Sequence, residues 1–131
     1  MQGTESRRVL IVEDNPLIAE HMAIIIEEAG FTALGPVTTN DEARAVLDNP
    51  TSAIDAVLLD LQLDRLSLMI ADQLQRAGIP FVFATGNRAE IPVAYRDRPV
   101  CEKPFTPHVL LQALHLAIGQ KAGAAPPGPT T

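Results

Sequence analysis

The chain has 131 residues, of which 47% are hydrophobic and 20% charged, so it holds enough apolar material for one compact core and a single domain is expected. Its 16 acidic residues against 10 basic ones give a formal charge of −6, which argues against a surface that follows a nucleic-acid backbone. A single cysteine excludes an internal disulfide, and the chain lacks both a signal-peptide run and the roughly 20 apolar residues that span a bilayer, so no membrane partner and a cytoplasmic location are expected.

The first predicted element is a buried strand. Residues Arg8 to Val12 form a continuous β-branched and aliphatic run, which is typical of a strand covered on both faces in a parallel sheet. The run ends in two acids, Glu13 and Asp14. The dipeptide Asn15-Pro16 then offers a cap and a first helical turn, and apolar residues recur at helical spacing until Gly30. The segment therefore predicts a strand, a short loop and a helix.

The same unit recurs along the chain. The further predicted strands are Phe31 to Val37, which Gly35-Pro36 breaks, Asp55 to Leu59, Ile79 to Ala84, and Pro99 to Glu102. The further predicted helices are Asn40 to Leu47, Ser67 to Ala77, and Pro107 to Ile118. The stretch between Thr85 and Lys103 is too short and too rich in glycine and proline for a full helix, so a short helix or an irregular loop is expected. Alternating strands and helices predict a doubly wound α/β fold with a five-stranded parallel sheet and helices on both faces.

The predicted domain covers residues 7–120. Residues 1–6 are expected to be disordered, and so is the tail 121–131, which is rich in Ala, Pro and Gly. Because only about a dozen residues follow the last predicted helix, no effector domain is expected. The initial Met1 and this tail favour a stand-alone protein over a fragment of a larger chain.

Reactive side chains follow four of the predicted strands. They are Glu13 and Asp14 after the first strand, Asp60 after the third, Thr85 after the fourth and Lys103 after the fifth. Ligands of open parallel sheets collect at the carboxyl ends of the strands, so these side chains are expected to meet at one edge.

Three carboxylates at one edge call for a counter-charge. A like-charged pair about 4 Å apart repels by ~4 kcal/mol at an effective dielectric near 20, and a divalent cation relieves this repulsion. Hard oxygen ligands with room for water are typical of Mg²⁺. The predicted ligands are Asp14, Asp60 and the backbone carbonyl of Gln62, with Glu13 as a further ligand, either direct or through water.

With Mg²⁺ bound, the free oxygen of Asp60 can attack phosphorus in line and form an acyl phosphate. Lys103 is predicted to neutralise the phosphoryl oxygens as a point charge. Thr85 is predicted to donate a hydrogen bond to the bound phosphoryl group, while Gly86 keeps the approach to Asp60 open. Positioning and charge neutralisation would supply most of the catalysis, so the chain is not expected to be a conventional enzyme.

Four segments carry a family resemblance: Val9 to Pro16, Val57 to Asp60, Phe83 to Gly86, and Glu102 to Phe105. Together they make residues 7 to about 119 resemble the receiver domain of bacterial two-component response regulators. The resemblance implies a flavodoxin-like strand order of 2-1-3-4-5 and a cis peptide at Lys103-Pro104. It also implies a histidine kinase as phosphoryl donor, a downstream protein or phosphotransfer partner, and a monomer or a phosphorylation-dependent dimer.

The segment Phe81 to Gly86 is similar to the motif of the FATGUY single-domain regulators of alphaproteobacteria, which act in general stress signalling. The chain departs from that motif at Asn87 and Arg88, where the motif has a bulky apolar residue and a tyrosine. It departs from most receivers at Asp64, near the position of a usual proline, and at Val100, the position of the usual switch aromatic. The ordinary coupling of a threonine to that aromatic is therefore not expected.

Other polar or reactive residues are interpreted as structural. His21, His108 and His115 share no metal-ligand spacing and are expected on the surface or partly packed, and Cys101 is expected in the core. A basic cluster formed by Arg88, Tyr95, Arg96 and Arg98 is expected to be a solvated face, with a partner surface as the alternative.

Three further functions stay open from the sequence. The chain could be a receiver-like binding module that has lost phosphotransfer, or a receiver fragment of a hybrid histidine kinase. An aspartyl phosphohydrolase of the haloacid dehalogenase type is disfavoured, because such enzymes resemble a layout with a second aspartate where this chain has Gln62, and with an acid pair late rather than early.

Overall fold

The structure, a computed structural model, describes residues 7–61 and 66–123, and within these ranges it has five strands and four α-helices. The strands are β1 (Arg8–Val12), β2 (Thr32–Val37), β3 (Ala56–Asp60), β4 (Phe81–Thr85) and β5 (Val100–Glu102). The helices are α1 (Pro16–Glu28), α2 (Asn40–Asp48), α3 (Leu66–Ala77) and α4 (Pro107–Gly123). The Asn15 side chain caps α1 by accepting hydrogen bonds from the N–H groups of Leu17 and Ile18, as the sequence predicts.

All five strands are parallel, in the order β2-β1-β3-β4-β5, which confirms the predicted flavodoxin-like fold. The order reverses between β1 and β3, so the carboxyl ends of these two strands face the crevice where such sheets bind ligands. The register places Val12 beside Leu59 and Asp60 beside Ala84. The residues that follow β1 and those that end β3 and β4 are thereby neighbours at one edge.

Two apolar layers cover the sheet, because successive strand residues point to opposite faces. One layer contains Ile11, Leu58 and Val82 together with the inner sides of α1 and α4. The other contains Leu59 and Phe83 together with the inner sides of α2 and α3. Helices therefore lie on both faces, as predicted.

Several boundaries differ from the sequence prediction. β2 runs on through Gly35-Pro36, and the irregularity appears instead as a register shift against β1 between Leu10 and Val12. α4 continues to Gly123, beyond the predicted end at Ile118, so the stretch 121–123 is helical where disorder was expected. Predictions for residues 1–6 and 124–131 lie outside the described residues. Among the helices that are described, none has the length and apolar character needed to cross a bilayer.

Gly35 is a position where only glycine fits. Its φ is +90°, and a Cβ there would lie 2.8 Å from the Val37 nitrogen and 3.0 Å from the Ile11 carbonyl oxygen, both backbone atoms. We expect Gly35→Ala to lower the free energy of unfolding by about 2–4 kcal/mol, measured by urea denaturation. Gly30→Ala is the matched control, because Gly30 has φ +100° but no atom within 4 Å of the added carbon, so only about 1 kcal/mol of backbone strain is expected. Equal losses in the two variants would contradict the close-approach argument.

The connection between β4 and β5 has two 3₁₀ turns, Arg88–Glu90 and Val93–Tyr95, in place of a full helix. This confirms the predicted short or irregular element. Tyr95 is only 7% exposed, and its ring meets those of Phe81 and Phe83 edge-on at centroid distances of 6.0 and 5.6 Å. Its hydroxyl donates a hydrogen bond to Asp72 on α3. The aromatic ring thus covers part of the sheet that a helix would otherwise cover.

The prediction of a solvated basic face is therefore wrong for two of its members. Tyr95 is buried, and the guanidinium of Arg98 lies 5.4 Å from the ring centroid of Phe81 while its Nη2 donates to Gln75 at 2.6 Å. Arginine can stack on an aromatic face and still hydrogen-bond, so a run of arginines does not by itself indicate solvent. Arg88 and Arg96 are exposed, as expected.

Burial raises the pKa of Tyr95 to about 12, and the hydrogen bond to Asp72 adds to the effect. Because the folded-state pKa lies above the ordinary value near 10, the neutral phenol stabilises the fold fully below about pH 10, and this contribution is lost as the pH rises towards 12. Tyr95 is the one tyrosine and the chain has no tryptophan, so phenolate absorbance reports this residue alone. We expect a midpoint near 12 in buffer and near 10 in urea; coincident midpoints would mean that the hydroxyl is solvated.

Candidate functional site

The predicted site residues meet at the carboxyl edge of the sheet. Glu13 and Asp14 directly follow β1, Asp60 is the last residue of β3, and Thr85 is the last residue of β4. Lys103 directly follows β5, and its N–H donates to the Thr85 carbonyl at 2.8 Å, which ties the ends of β4 and β5 together. The backbone alone therefore brings four strand ends to one place.

Glu13, Asp14 and Asp60 form a cluster in which one carboxylate oxygen from each lies within 4.8 Å of the others. Glu13 and Asp60 are 1% and 2% exposed, whereas Asp14 is exposed. Two buried acids and one exposed acid suit Mg²⁺, because this cation takes carboxylates on one side and keeps waters on the other. The residues present therefore fit the predicted metal, while Gln62, the predicted carbonyl ligand, lies outside the described residues.

Lys103 is the cation of the site. Its Nζ lies 2.8 Å from Glu13 Oε1 and 3.5 Å from Asp60 Oδ1, and the Lys103-Pro104 peptide is cis, as the family resemblance implies. One ammonium faces three carboxylates, so the cluster keeps an excess of negative charge. Burial of unbalanced charge is costly, and this excess favours the uptake of a cation.

Burial raises the pKa of Glu13, and the nearby negative charge of Asp60 raises it further. The ammonium of Lys103 and the N–H of Asn15, which donates to Glu13 Oε2 at 3.2 Å, act in the opposite direction. Desolvation and like charge penalise the ionised form, and a bound cation would relieve both. The pKa of Glu13 is thus raised mainly by burial, and the charge of Asp60 makes a smaller contribution in the same direction.

Thr85 is fully buried at the end of β4, and its hydroxyl is engaged by the following loop. The Oγ1 atom accepts a hydrogen bond from the Asn87 N–H at 3.1 Å and donates to the Asn87 carbonyl at 3.3 Å. The predicted donation to a phosphoryl group therefore requires the hydroxyl to exchange its partner. Gly86, which follows Thr85, is exposed, as an open approach requires.

Ser67 is a residue that the sequence did not single out. It lies in the first turn of α3, is fully buried, and its Oγ donates to the Asp60 carbonyl at 3.1 Å. The Leu61 N–H donates to the Ala84 carbonyl at 3.1 Å, which holds the same strand end from the other side. A serine at a helix start is a common capping signal, so nothing in the sequence indicated this contact to Asp60.

The remaining candidate residues lie elsewhere. His21 stacks on Phe105 at 5.5 Å, His115 meets Phe31 at 5.7 Å, and His108 is exposed near the start of α4, so the three histidines have separate surroundings. Cys101 is fully buried as predicted, and burial raises the pKa of its thiol to about 11, which makes it a poor nucleophile.

Comparison with known proteins points to one family. The model of the response regulator receiver domain matches residues 9–115. Over 85 residues, or 63% of this chain, the sequence is 34% identical to the sensory transduction protein RegX3 of Mycolicibacterium smegmatis. Over 104 residues, or 76% of this chain, it is 31% identical to the phyllosphere-induced regulator PhyR of Methylorubrum extorquens. The matched stretches span 36% and 39% of those two relatives.

Solved structures agree in fold. SdrG from Sphingomonas melonis Fr1 is 35% identical and superposes with a TM-score of 0.70 over 86% of this chain and 97% of its own. The response regulator PhyR from Brucella abortus is 26% identical, with a TM-score of 0.76 over 92% of this chain and 51% of its own.

Proposed function

The chain belongs to the response regulator receiver domain family of two-component signalling, and on that premise we propose that Asp60 accepts a phosphoryl group from a histidine kinase in a Mg²⁺-dependent reaction. The observation that carries the proposal is the buried Asp60 carboxylate, which lies in one cluster with Glu13 and Asp14 and 3.5 Å from the Lys103 ammonium. A nucleophile, a cation site and a counter-charge for phosphoryl oxygens are then within reach of one another.

The transfer forms a bond between an Asp60 carboxylate oxygen and phosphorus. The bond between phosphorus and a histidine nitrogen of the donor breaks, and the imidazole leaves with its electron pair and keeps its proton on the other nitrogen. When bound, Mg²⁺ supplies charge neutralisation for the phosphoryl oxygens and for the attacking carboxylate. Lys103 neutralises a further phosphoryl oxygen, and Thr85 donates its hydroxyl hydrogen after releasing Asn87. Attack of water on phosphorus later restores the free carboxylate, so the chain catalyses both its own phosphorylation and its dephosphorylation.

The surface beside Lys103 suits a protein donor. A depression of about 330 Å³ is lined by Ile18, His21, Lys103, Pro104 and Phe105. Leu17, which lies in the first turn of α1 and precedes the lining residue Ile18 in the chain, is 77% exposed. An exposed aliphatic side chain beside a concave site is typical of a docking surface, so the kinase is proposed to approach from the α1 side.

Phosphorylation is proposed to act through protein binding. The exchange of the Thr85 hydroxyl from Asn87 to the phosphoryl group would disturb the loop that follows β4, and residues 86–99 would shift between two arrangements. A downstream protein, or a phosphotransfer protein in a relay, would bind one of them. The 28% identity to a solved PhyR that is described as a stress response regulator, together with the FATGUY-like motif, supports a role in stress signalling. The proposed location is the cytoplasm.

The proposal is tested with beryllofluoride, which mimics a phosphoryl group on aspartate. We expect beryllofluoride with Mg²⁺, but neither alone, to shift the amide NMR signals of Asp60, Thr85 and Lys103 and those of residues 86–99. The Asp60→Asn variant should show no such shifts, because it lacks the oxygen that binds beryllium. A wild-type spectrum that stays unchanged with both additions would instead support a binding module that works without phosphorylation, which the aliphatic Val100 at the switch position also motivates.

A further inference from the structure

We infer that the hydrogen bond between Tyr95 and Asp72 opposes activation, and that it must break when Thr85 engages a phosphoryl ligand. This inference rests on the proposed function, since it concerns the regulation of the same site. It assigns Tyr95 as a positioning residue that acts on Thr85 through residues 86–99. Tyr95 thereby replaces the missing aromatic at position 100, but from a different part of the chain and with a different partner.

A continuous set of contacts joins Thr85 to Tyr95. The Thr85 hydroxyl is held by the backbone of Asn87, whose side chain accepts from the Ala89 N–H and so caps the first 3₁₀ turn. The next residue after that turn, Ile91, is 3% exposed, and its carbonyl accepts from Arg96 Nε at 3.2 Å. Arg96 directly follows Tyr95. The segment from Asn87 to Tyr95 therefore has little freedom to move at its Asn87 end alone.

Tyr95 anchors the other end of this set. Its ring is wedged against Phe81 and Phe83, and Phe83 lies two residues before Thr85 on the same strand. Its hydroxyl reaches α3 through Asp72, and Arg98 makes a second link to α3 through Gln75. The β4–β5 connection is therefore fastened to α3 by two side chains that are both on its C-terminal half.

The burial of Tyr95 makes its hydrogen bond to Asp72 costly to break. The hydroxyl of a tyrosine that is 7% exposed needs a partner, and in this structure the partner is a carboxylate. A shift of residues 86–99 that carries the hydroxyl away from Asp72 loses a charge-assisted hydrogen bond, so the resting arrangement is favoured by that bond. A phosphoryl ligand that pulls Thr85 inward must offset this loss, and its apparent affinity is reduced accordingly.

The wild-type protein gives the first readout. A carboxylate that accepts a hydrogen bond from a phenol quenches tyrosine emission, and Tyr95 is the one tyrosine in a chain without tryptophan. We expect beryllofluoride with Mg²⁺ to increase the tyrosine emission, because the hydrogen bond between Tyr95 and Asp72 breaks. If the amide signal of Asp60 shifts on addition while the emission stays constant, the inference is wrong and the proposed function stands. If the Asp60 signal does not shift at all, the proposed function itself fails.

Variants give the second readout. Tyr95→Phe keeps the ring and removes the hydroxyl, so we expect its affinity for beryllofluoride with Mg²⁺, followed at Asp60 by NMR, to rise about tenfold. Asp72→Ala should raise the affinity by a similar factor, and the double variant should show no further gain, because all three changes remove the same bond. Val93→Ala, at a 76% exposed position in the same segment, is the control and should bind as the wild type does. Wild-type affinity in Tyr95→Phe, or a full additive gain in the double variant, would overturn the inference.

Discussion

Replacing Asp60 by asparagine is expected to abolish the phosphoryl adduct that forms with phosphoramidate and Mg²⁺, as measured by intact mass. Only Asp60 among the clustered acids is both buried and close to Lys103 while lying at the end of the central strand β3. The amide of asparagine has nearly the same shape as a carboxylate, so the fold should persist, but it is a far weaker nucleophile towards phosphorus. The expected loss is complete, since no other described carboxylate combines these three features.

The matched control for this variant is Asp41→Asn. Asp41 is exposed in the first turn of α2, and its replacement makes the same change in charge away from the cluster. We expect this variant to form the adduct at the wild-type rate, with at most a few tenths of a kcal/mol lost from the free energy of unfolding. An adduct of equal yield on Asp60→Asn would show that another side chain is the acceptor.

Replacing Lys103 by alanine is expected to slow adduct formation by about 100-fold, which corresponds to about 2.7 kcal/mol of lost transition-state stabilisation. The ammonium lies 3.5 Å from Asp60 and can follow the charge onto the phosphoryl oxygens. Its removal also leaves Glu13 without the partner at 2.8 Å. The acids then carry more uncompensated charge, so the affinity for Mg²⁺ should stay equal or rise.

A lower phosphorylation rate without a lower Mg²⁺ affinity distinguishes a role of Lys103 in catalysis from a role in folding. A general loss of structure would lower both the phosphorylation rate and the Mg²⁺ affinity, which calorimetric titration measures directly. Arg44→Ala is the control. Arg44 is exposed on α2, so its replacement removes one positive charge away from the acidic cluster. A Lys103→Ala variant that phosphorylates at the wild-type rate would contradict the assigned role.

The sequence could predict the fold and the site cluster because both follow from strand ends. Continuous aliphatic runs such as Arg8 to Val12 indicate buried parallel strands, and the parallel ends must share one edge of the sheet. One site at this edge of the sheet is therefore expected to hold the acid after β1, the acid at the end of β3 and the lysine after β5. This expectation does not depend on the lengths of the loops between them. The short element between β4 and β5 was predictable because the stretch from Thr85 to Lys103 is too short, and too rich in glycine and proline, for a full helix.

Contacts between side chains of different elements could not be predicted in this way. Tyr95 and Asp72 are separated by 23 positions, and the arginines around Tyr95 gave its segment the composition of a solvated loop. Burial of the ring depends on the uncovered faces of Phe81 and Phe83, which only the folded sheet reveals. The bond from Ser67 to the Asp60 carbonyl was missed for the same reason, since a local capping role explained the serine equally well.

The β2 boundary shows a different limit. Gly35-Pro36 was predicted to break the strand, because proline lacks an N–H for a sheet. The strand continues because β2 lies at the edge of the sheet, where one row of N–H groups needs no partner, and the mismatch is absorbed as a register shift against β1. A single sequence does not tell an edge strand from a central one, so the continuation of β2 through Gly35-Pro36 could not be predicted from it.

The Mg²⁺ dependence of phosphorylation tests the central claim most directly. Wild-type protein is incubated with phosphoramidate in the presence of either MgCl₂ or EDTA, and the intact mass is followed over time. The account predicts a mass increase of one phosphoryl group with MgCl₂, reversed by hydroxylamine as an acyl phosphate should be, and no increase with EDTA. An adduct that forms equally fast in EDTA, or one that resists hydroxylamine, would contradict a metal-assisted acyl phosphate on Asp60.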